Sequence, residues 1–336
     1  MSPPLPQIQS LIEKHHTFIV FSHVRPDGDA YGSALGLALA LEEIGKTTQV
    51  YFQDGLHQSY QFLPGSRKIL IPSPLQPPDT DAAIIAVDTS TLPRLGDTFQ
   101  TWGRKVDLNI DHHISNTQFA EINLISPHAA ATSEIIYELL HPLSLPLTEP
   151  VATNLYVGIM TDTGSFRYRQ TSPRTLSAAA ALTAAGANPS FLATQCFLNH
   201  PLTRFKLQQE IFSQARYYFD NQVVVCHITP ELLTRHGARP EDTENILEPL
   251  QAIRDIEIAI LIETIDTNTQ RASLRSRGKI DVSLVAASLG GGGHPEAAGL
   301  RVNMTFNNLT TSLLTTLSPY FTTKINPPHT SNHHLK

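Results

Sequence analysis

Three apolar runs, TFIVFS (residues 17–22), AAIIAV (82–87) and VDLNI (106–110), share one peculiarity: each empties at once into a chemically loaded polar stretch. The first leads into SHVRPDGDAYGS, the second into Asp88-Thr89-Ser90, the third into Asp111-His112-His113. Short apolar runs of this kind read as strands buried on both faces. Helical spacing fills the gaps: Ile8, Leu11 and Ile12 before the first run, then Leu35, Ala38, Leu39, Leu41 and Ile44 after it, with Gly45 as the stop. The alternation predicts an α/β fold built on a mostly parallel sheet. Ligands of such sheets gather beyond the carboxyl ends of the strands, which is where Asp27, Asp29, Asp88 and Asp111 would fall.

Further along, Thr48–Phe52 reads as a strand, residues 54–80 as a long irregular connection, and Thr132 as the cap of a helix carrying Ile135, Ile136, Leu139 and Leu140. A helix over Glu149–Met160 ends in TDTGSF, and Ser172-Pro173 opens an alanine-rich helix that stops at Gly186. Residues 201–219 read as one more helix. A new pattern then begins, with strands at 223–228, 256–263 and 271–276 and a helix over 281–289 that runs into four glycines. At 336 residues, two domains are expected. Their bounds are a first domain at 1–186, a helical linker at 187–205, a smaller α/β domain at 206–325, and a disordered polar tail at 326–336.

Composition narrows the function classes. A net charge of −6 argues against a surface built for long nucleic acids. No apolar run reaches membrane-spanning length, the first residues lack a secretory pattern, and Cys196 and Cys226 stand alone. A cytoplasmic protein is the expectation.

Four segments carry candidate ligands: His23, Asp27 and Asp29; Asp88; Asp111, His112 and His113; and Asp162. Carboxylates with a few imidazoles and no cysteine favour Mn²⁺ or Mg²⁺ over structural zinc. Taken singly, Asp27-Gly28-Asp29 also suits a turn, Asp88 a helix cap, and Asp162 a helix end. Taken together they would be independent accidents at the ends of one sheet. Four aspartates balance two divalent cations, and such a pair clamps the oxygens of a phosphoryl displacement. In the second domain, Gly290, Gly291, Gly292 and Gly293 followed by His294 read as a loop that lets a ligand approach main chain.

The order HxxxDxD (His23, Asp27, Asp29), VDT (Asp88), DHH and TDTGSF (Asp162) resembles the DHH phosphoesterase superfamily. DHHISNTQF followed by NLISPHAAATSEIIYELL is especially similar to its nanoRNase/pAp phosphatase branch. Thr91 is a departure, since relatives often carry an acidic residue there. The resemblance implies one cation on His23, Asp27 and Asp88, and a second on Asp29, Asp88, His112 and Asp162, with Asp88 as the bridge. It implies that His113 faces the substrate phosphate and Asp111 orients the histidines. GGGGHPEAAG resembles the DHHA1 signature, so Gly290–His294 and Arg275 would hold the nucleotide, while Arg277 reads as solvated. Arg167 reads equally as a phosphate contact or a surface arginine.

The implied activity is hydrolysis of short oligoribonucleotides to mononucleotides and of 3′-phosphoadenosine 5′-phosphate (pAp) to AMP. The implied cofactors are two Mn²⁺ ions, with Mg²⁺ as the alternative, and a homodimer is implied. A cleft between the domains would act as a ruler, cutting one end of a short substrate and holding the other. The rival readings are a cyclic-dinucleotide or pApA phosphodiesterase, a RecJ-like exonuclease, a manganese pyrophosphatase, and a nucleotide-binding protein without activity.

Overall fold

The computed structural model describes residues 4–77, 79–243 and 246–321. The chain divides into two compact units, Met1–Asn199 and His200–Lys336. The tail expected at 326–336 lies outside the described residues.

Unit 1 runs α1 (Leu5–Lys14), β1 (Thr17–Phe21), α2 (Gly28–Glu43), β2 (Thr47–Tyr51), β3 (Ile69–Leu70), β4 (Ala83–Val87), α3 (Asp97–Thr101), β5 (Leu108–Asp111) and β6 (Ile122–Ile125). It continues with α4 (Thr132–Leu140), α5 (Glu149–Asp162), α6 (Pro173–Ala184) and α7 (Pro189–Ala193). Among the described residues the six strands form one sheet in the order β3-β2-β1-β4-β5-β6, with every pair parallel. The order reverses between β1 and β4, the topological switch point where doubly wound sheets bind ligands.

Alternation along β1 explains the layers. Phe18 and Val20 join the core under α1, α2, α4, α5 and α6, whereas Ile19 and Phe21 pack on the opposite face against Leu95, Phe99 and Trp102. The one-sided apolar stripe expected for α2 is a partial reading. Ile44 is exposed and Leu39 half-buried, while Gly28 through Ala38 is buried throughout. Such burial on all sides is what a helix with apolar and small residues all round demands. Gly32 permits it: a Cβ there would lie 2.5 Å from the Asn154 carbonyl oxygen of α5.

One expectation needs correcting, and one strand has no counterpart in the sequence reading. Residues 54–80 contain 3₁₀ turns at Gln58–Tyr60 and Ser66–Lys68 and the strand β3, whose Ile69 pairs with Val50. The chain after Asp111-His112-His113 also returns as a parallel strand, β6, beside β5.

Unit 2 runs α8 (Leu202–Ser213), β7 (Arg216–Tyr218), β8 (Val223–Ile228), α9 (Pro230–His236), α10 (Glu248–Gln251), β9 (Ile258–Thr264) and β10 (Thr269–Ser276). Then come α11 (Val282–Ala287), β11 (Gly292–His294), β12 (Ala297–Asn303) and α12 (Phe306–Leu317). The helix read over 201–219 stops at Ser213, and Arg216–Tyr218 turns back as a strand on β8. Among the described residues the sheet order is β11-β12-β10-β9-β8-β7, and only β8–β9 is parallel. Val225, Ile260 and Leu274 face α11 and α12; Val224, Ala259 and Leu261 face α8, α9 and α10.

Candidate active site

Each acidic or imidazole residue of unit 1 is delivered by a strand or helix end. His23 follows β1, and Asp88 follows β4 with its N–H donating to the Ile110 carbonyl. Asp88 takes φ 53°, left-handed backbone that aspartate tolerates better than most residues and that clusters at functional sites. Asp111 ends β5. Asp27 caps α2, its Oδ1 accepting from the N–H groups of Asp29 and Ala30 at 3.1 and 3.0 Å. Asp162 ends α5.

Asp88 lies at the centre. His23 Nε2 stands 3.3 Å from its Oδ2 and 3.9 Å from Asp27 Oδ2. On the other side, His112 Nε2 is 3.5 Å from Asp88 Oδ1 and 3.4 Å from Asp162 Oδ2. The ligand atoms of His23, Asp27 and Asp88 all lie within 4.8 Å of one another, as do those of Asp29, Asp88 and His112. His113 Nδ1 meets Asp111 Oδ1 at 2.7 Å, and Asn116 donates to Asp111 Oδ2 at 2.6 Å.

The tautomers follow from the neighbours. His23 Nδ1 faces the Val24 carbonyl at 2.9 Å and His112 Nδ1 the Ala129 carbonyl at 3.3 Å, so both Nδ1 atoms carry protons. Burial, helped by the charge of Arg94, lowers His23 to about 4, which makes it neutral with a lone pair on Nε2. That lone pair points at carboxylate oxygens. Burial, reinforced by Asp29, Asp27, Asp111 and Asp162, holds Asp88 well above the usual carboxylate range. Burial also pushes Asp162 up to about 8, although its own side chain is 23% exposed, because Oδ2 is fully enclosed and has no hydrogen-bond partner among the described residues. Burial likewise raises Asp29. For Asp111, burial pushes upward, but His113 and Asn116 outweigh it and leave the group below its ordinary value. These features fit divalent cations: an orphaned buried carboxylate oxygen, a lone pair facing carboxylates, and an oxygen-rich donor set without sulfur.

Asp29 has a role the sequence did not suggest. Its Oδ2 and Oδ1 accept the N–H groups of Thr132 and Ser133 at 2.6 and 3.0 Å, closing the first turn of α4 from another helix. Thr132 is therefore not the cap. The N-cap is Ala131, without a side-chain bond, and the Thr132 hydroxyl instead donates to Asp88 Oδ1 at 3.1 Å. Nothing in the run ATSE distinguishes this from an ordinary threonine cap, because the partner is distant in the chain. Thr132→Val, which keeps shape and removes the donor, is expected to lower the unfolding free energy by about 1–2 kcal/mol, with Thr132→Ser restoring it. Urea unfolding checks this; a valine variant as stable as wild type would contradict it.

Arg167 is exposed, and its Nε donates back to the Gly164 carbonyl. Unit 2 has its own candidate face. Arg275 pairs with Ala297, and Ala297 with His294, so these three lie in one row across β10, β12 and β11; Ser273, Gly299 and Gly292 form the next row. Small residues thus floor the strip between Arg275 and His294. The loop expected at Gly290–His294 is in part an edge strand, β11. Gly293 adopts φ 144°, and a Cβ there would lie 2.5 Å from the Ala297 carbonyl oxygen; Gly292 has open space where a Cβ would stand.

Among the described residues, no helix is long and apolar enough to cross a membrane. The model of the DHH family N-terminal domain matches residues 17–159, and that of the DHHA1 domain matches residues 220–317. The chain is 31% identical over 283 residues to a bifunctional oligoribonuclease and PAP phosphatase NrnA of Thermus thermophilus, a match covering 83% of this chain and 82% of that protein. It is 25% identical to the cyclic-di-AMP phosphodiesterase PdeA of Listeria monocytogenes, over 94% of this chain but 49% of that protein. A crystal structure of an exopolyphosphatase-related protein from Bacteroides fragilis shares the fold, with a TM-score of 0.84 at 24% identity over 94% of this chain and 96% of that one. With both domain models matched in order around the two faces described, the chain belongs to the DHH family.

Proposed function

We propose that this protein is a divalent-metal-dependent phosphoesterase that hydrolyses short oligoribonucleotides to mononucleotides and pAp to AMP. The observation that carries the reading is the pair of donor groups meeting at one buried carboxylate, Asp88, at the switch point of a parallel sheet. The similarity to a bifunctional oligoribonuclease and PAP phosphatase supports the choice of substrates. His23, Asp27 and Asp88 would hold one cation, and Asp29, Asp88, His112 and Asp162 the second, Mn²⁺ before Mg²⁺. When bound, the cations supply Lewis acidity for an attacking water and for the phosphoryl oxygens.

The chain's own residues do the rest. Asp111, buried and fixed by Asn116, accepts from His113 Nδ1 and sets the plane of that ring toward a phosphate oxygen. The burial of Asp88, Asp29 and His112 excludes bulk water from the donor atoms. In unit 2 the strip from Arg275 to His294, with Gly290–Gly293 beside it, would take the part of the substrate away from the cut. A base or ribose fits a floor of glycine, alanine and serine, and the guanidinium suits a phosphate. Arg167 is assigned a lesser, phosphate-facing role. A cytoplasmic homodimer completes the reading.

The test is a substrate panel with Mn²⁺: pAp, RNA dimers to pentamers, pApA, cyclic di-AMP and pyrophosphate. Highest rates on pAp and RNA dimers to pentamers are expected, and faster turnover of cyclic di-AMP or pyrophosphate would overturn the assignment. Arg275→Ala is expected to lower kcat/KM on RNA trimers by about tenfold or more and on pAp by less, since a charged hydrogen bond away from the cut is lost. Equal losses on both substrates would refute a separate binding face.

A further inference from the structure

One charged side chain near the site is not accounted for by the residues above. Arg94 lies in the 3₁₀ turn Leu92–Leu95 that follows Asp88, and its carbonyl accepts the Val24 N–H at 2.7 Å. Its backbone is thereby clamped between the two loops that carry His23 and Asp88. The side chain is half-buried, yet among the described residues its guanidinium makes no hydrogen bond or ion pair. Its five N–H donors are therefore available to a ligand. The bond to Val24 places its backbone at the His23 end of the site, and its charge acts on His23 and on Asp27. That end is also the more open: the Asp27 side chain is 46% exposed, against 23% for Asp162 and 2% for Asp88.

We infer that Arg94 receives a phosphate oxygen of the substrate at the His23–Asp27 end of the site. The planar fork of a guanidinium matches two oxygens of one phosphate, which a carboxylate-rich site otherwise repels. Arg94 would thus act together with His113, whose Nδ1 stands 3.7 Å from Asp88 Oδ1 and whose charge also reaches His23 and Asp27. The ligand class is a phosphate monoester or the scissile diester of a short nucleotide. The inference rests on the phosphoesterase reading of this site.

Binding of inorganic phosphate to the Mn²⁺-loaded protein, measured by calorimetry, tests the inference without turnover. Arg94→Ala is expected to weaken phosphate binding about tenfold or more, and Arg94→Lys, which keeps the charge and loses the fork, by less. Mn²⁺ affinity and melting temperature, followed alongside, should match wild type, and kcat/KM on pAp should fall with phosphate affinity. Three results would overturn the inference: wild type that binds no phosphate, unchanged binding in both variants, or a loss of Mn²⁺ affinity that accounts for the effect. If wild type turns over neither pAp nor RNA but loses phosphate affinity with Arg94, the proposed substrates fall and the role of Arg94 stands.

Discussion

Replacing Asp88 by asparagine is expected to cut turnover of pAp and of RNA dimers by at least about a thousandfold, because a single charge shared by both donor groups disappears. Asparagine is the instructive choice. It tolerates the left-handed backbone at φ 53°, and its Oδ1 can still accept from the Thr132 hydroxyl. The fold should therefore survive. Without metal it should improve, since Asp88 is buried among Asp29, Asp27, Asp111 and Asp162 and every one of those charges opposes its own. Metal-free Asp88→Asn is expected to melt several degrees above metal-free wild type, a stabilisation bought with activity. Steady-state kinetics and thermal melts check the two halves; an asparagine variant within tenfold of wild-type activity would rule out Asp88 as the shared ligand.

The second large effect lies away from the chemistry. Gly32→Ala is expected to cost about 2–3 kcal/mol of stability, since its Cβ would fall 2.5 Å from the Asn154 carbonyl oxygen and 2.8 Å from the Gly158 nitrogen. Both are main-chain atoms of α5 and cannot rotate aside, so α2 and α5 must separate. Asp29 rides on α2 and Asp162 on α5, so activity should fall together with stability. Gly292→Ala, with nothing within 4 Å of its Cβ, should melt with wild type. Urea unfolding of the two variants makes the comparison, and an alanine at position 32 as stable as wild type would mean that the helices cross less closely than described.

What the chain reveals before folding depends on the range of the interaction. The strands ending at Phe21, Val87 and Asp111 were legible because each is a local apolar run, and the polar residues after them stood out for the same reason. β3 and β6 were not, because two or four residues in polar surroundings carry no periodic signal; the pairing of Ile69 with Val50 and of Leu108 with Ile122 makes them strands. The capping of α4 by Asp29 was illegible too, since the partners are 103 residues apart. No motif marks Arg94, because its position depends on the Val24–Arg94 main-chain bond. Four consecutive glycines point to a loop because glycine disfavours strands; an edge position, with a partner on one side only, tolerates Gly292 and Gly293.

The closure of α4 by Asp29 also bears on how the chain acquires its shape. Opening the first turn of α4 leaves a buried carboxylate without donors, and displacing α2 leaves two amides without an acceptor, so the two helices should open as one cooperative unit. Amide exchange at Thr132 and Ser133 should then follow the opening of α2 instead of fraying early, as helix ends do. During synthesis the same dependence imposes an order. Residues 28–43 can coil early, but Asp29 has no partner until residues 132 and 133 leave the ribosome, and the pocket around Asp88 waits for Asp162 after that. Truncation before α4 should therefore yield a chain that keeps its strand-forming segments yet never completes this corner of the molecule.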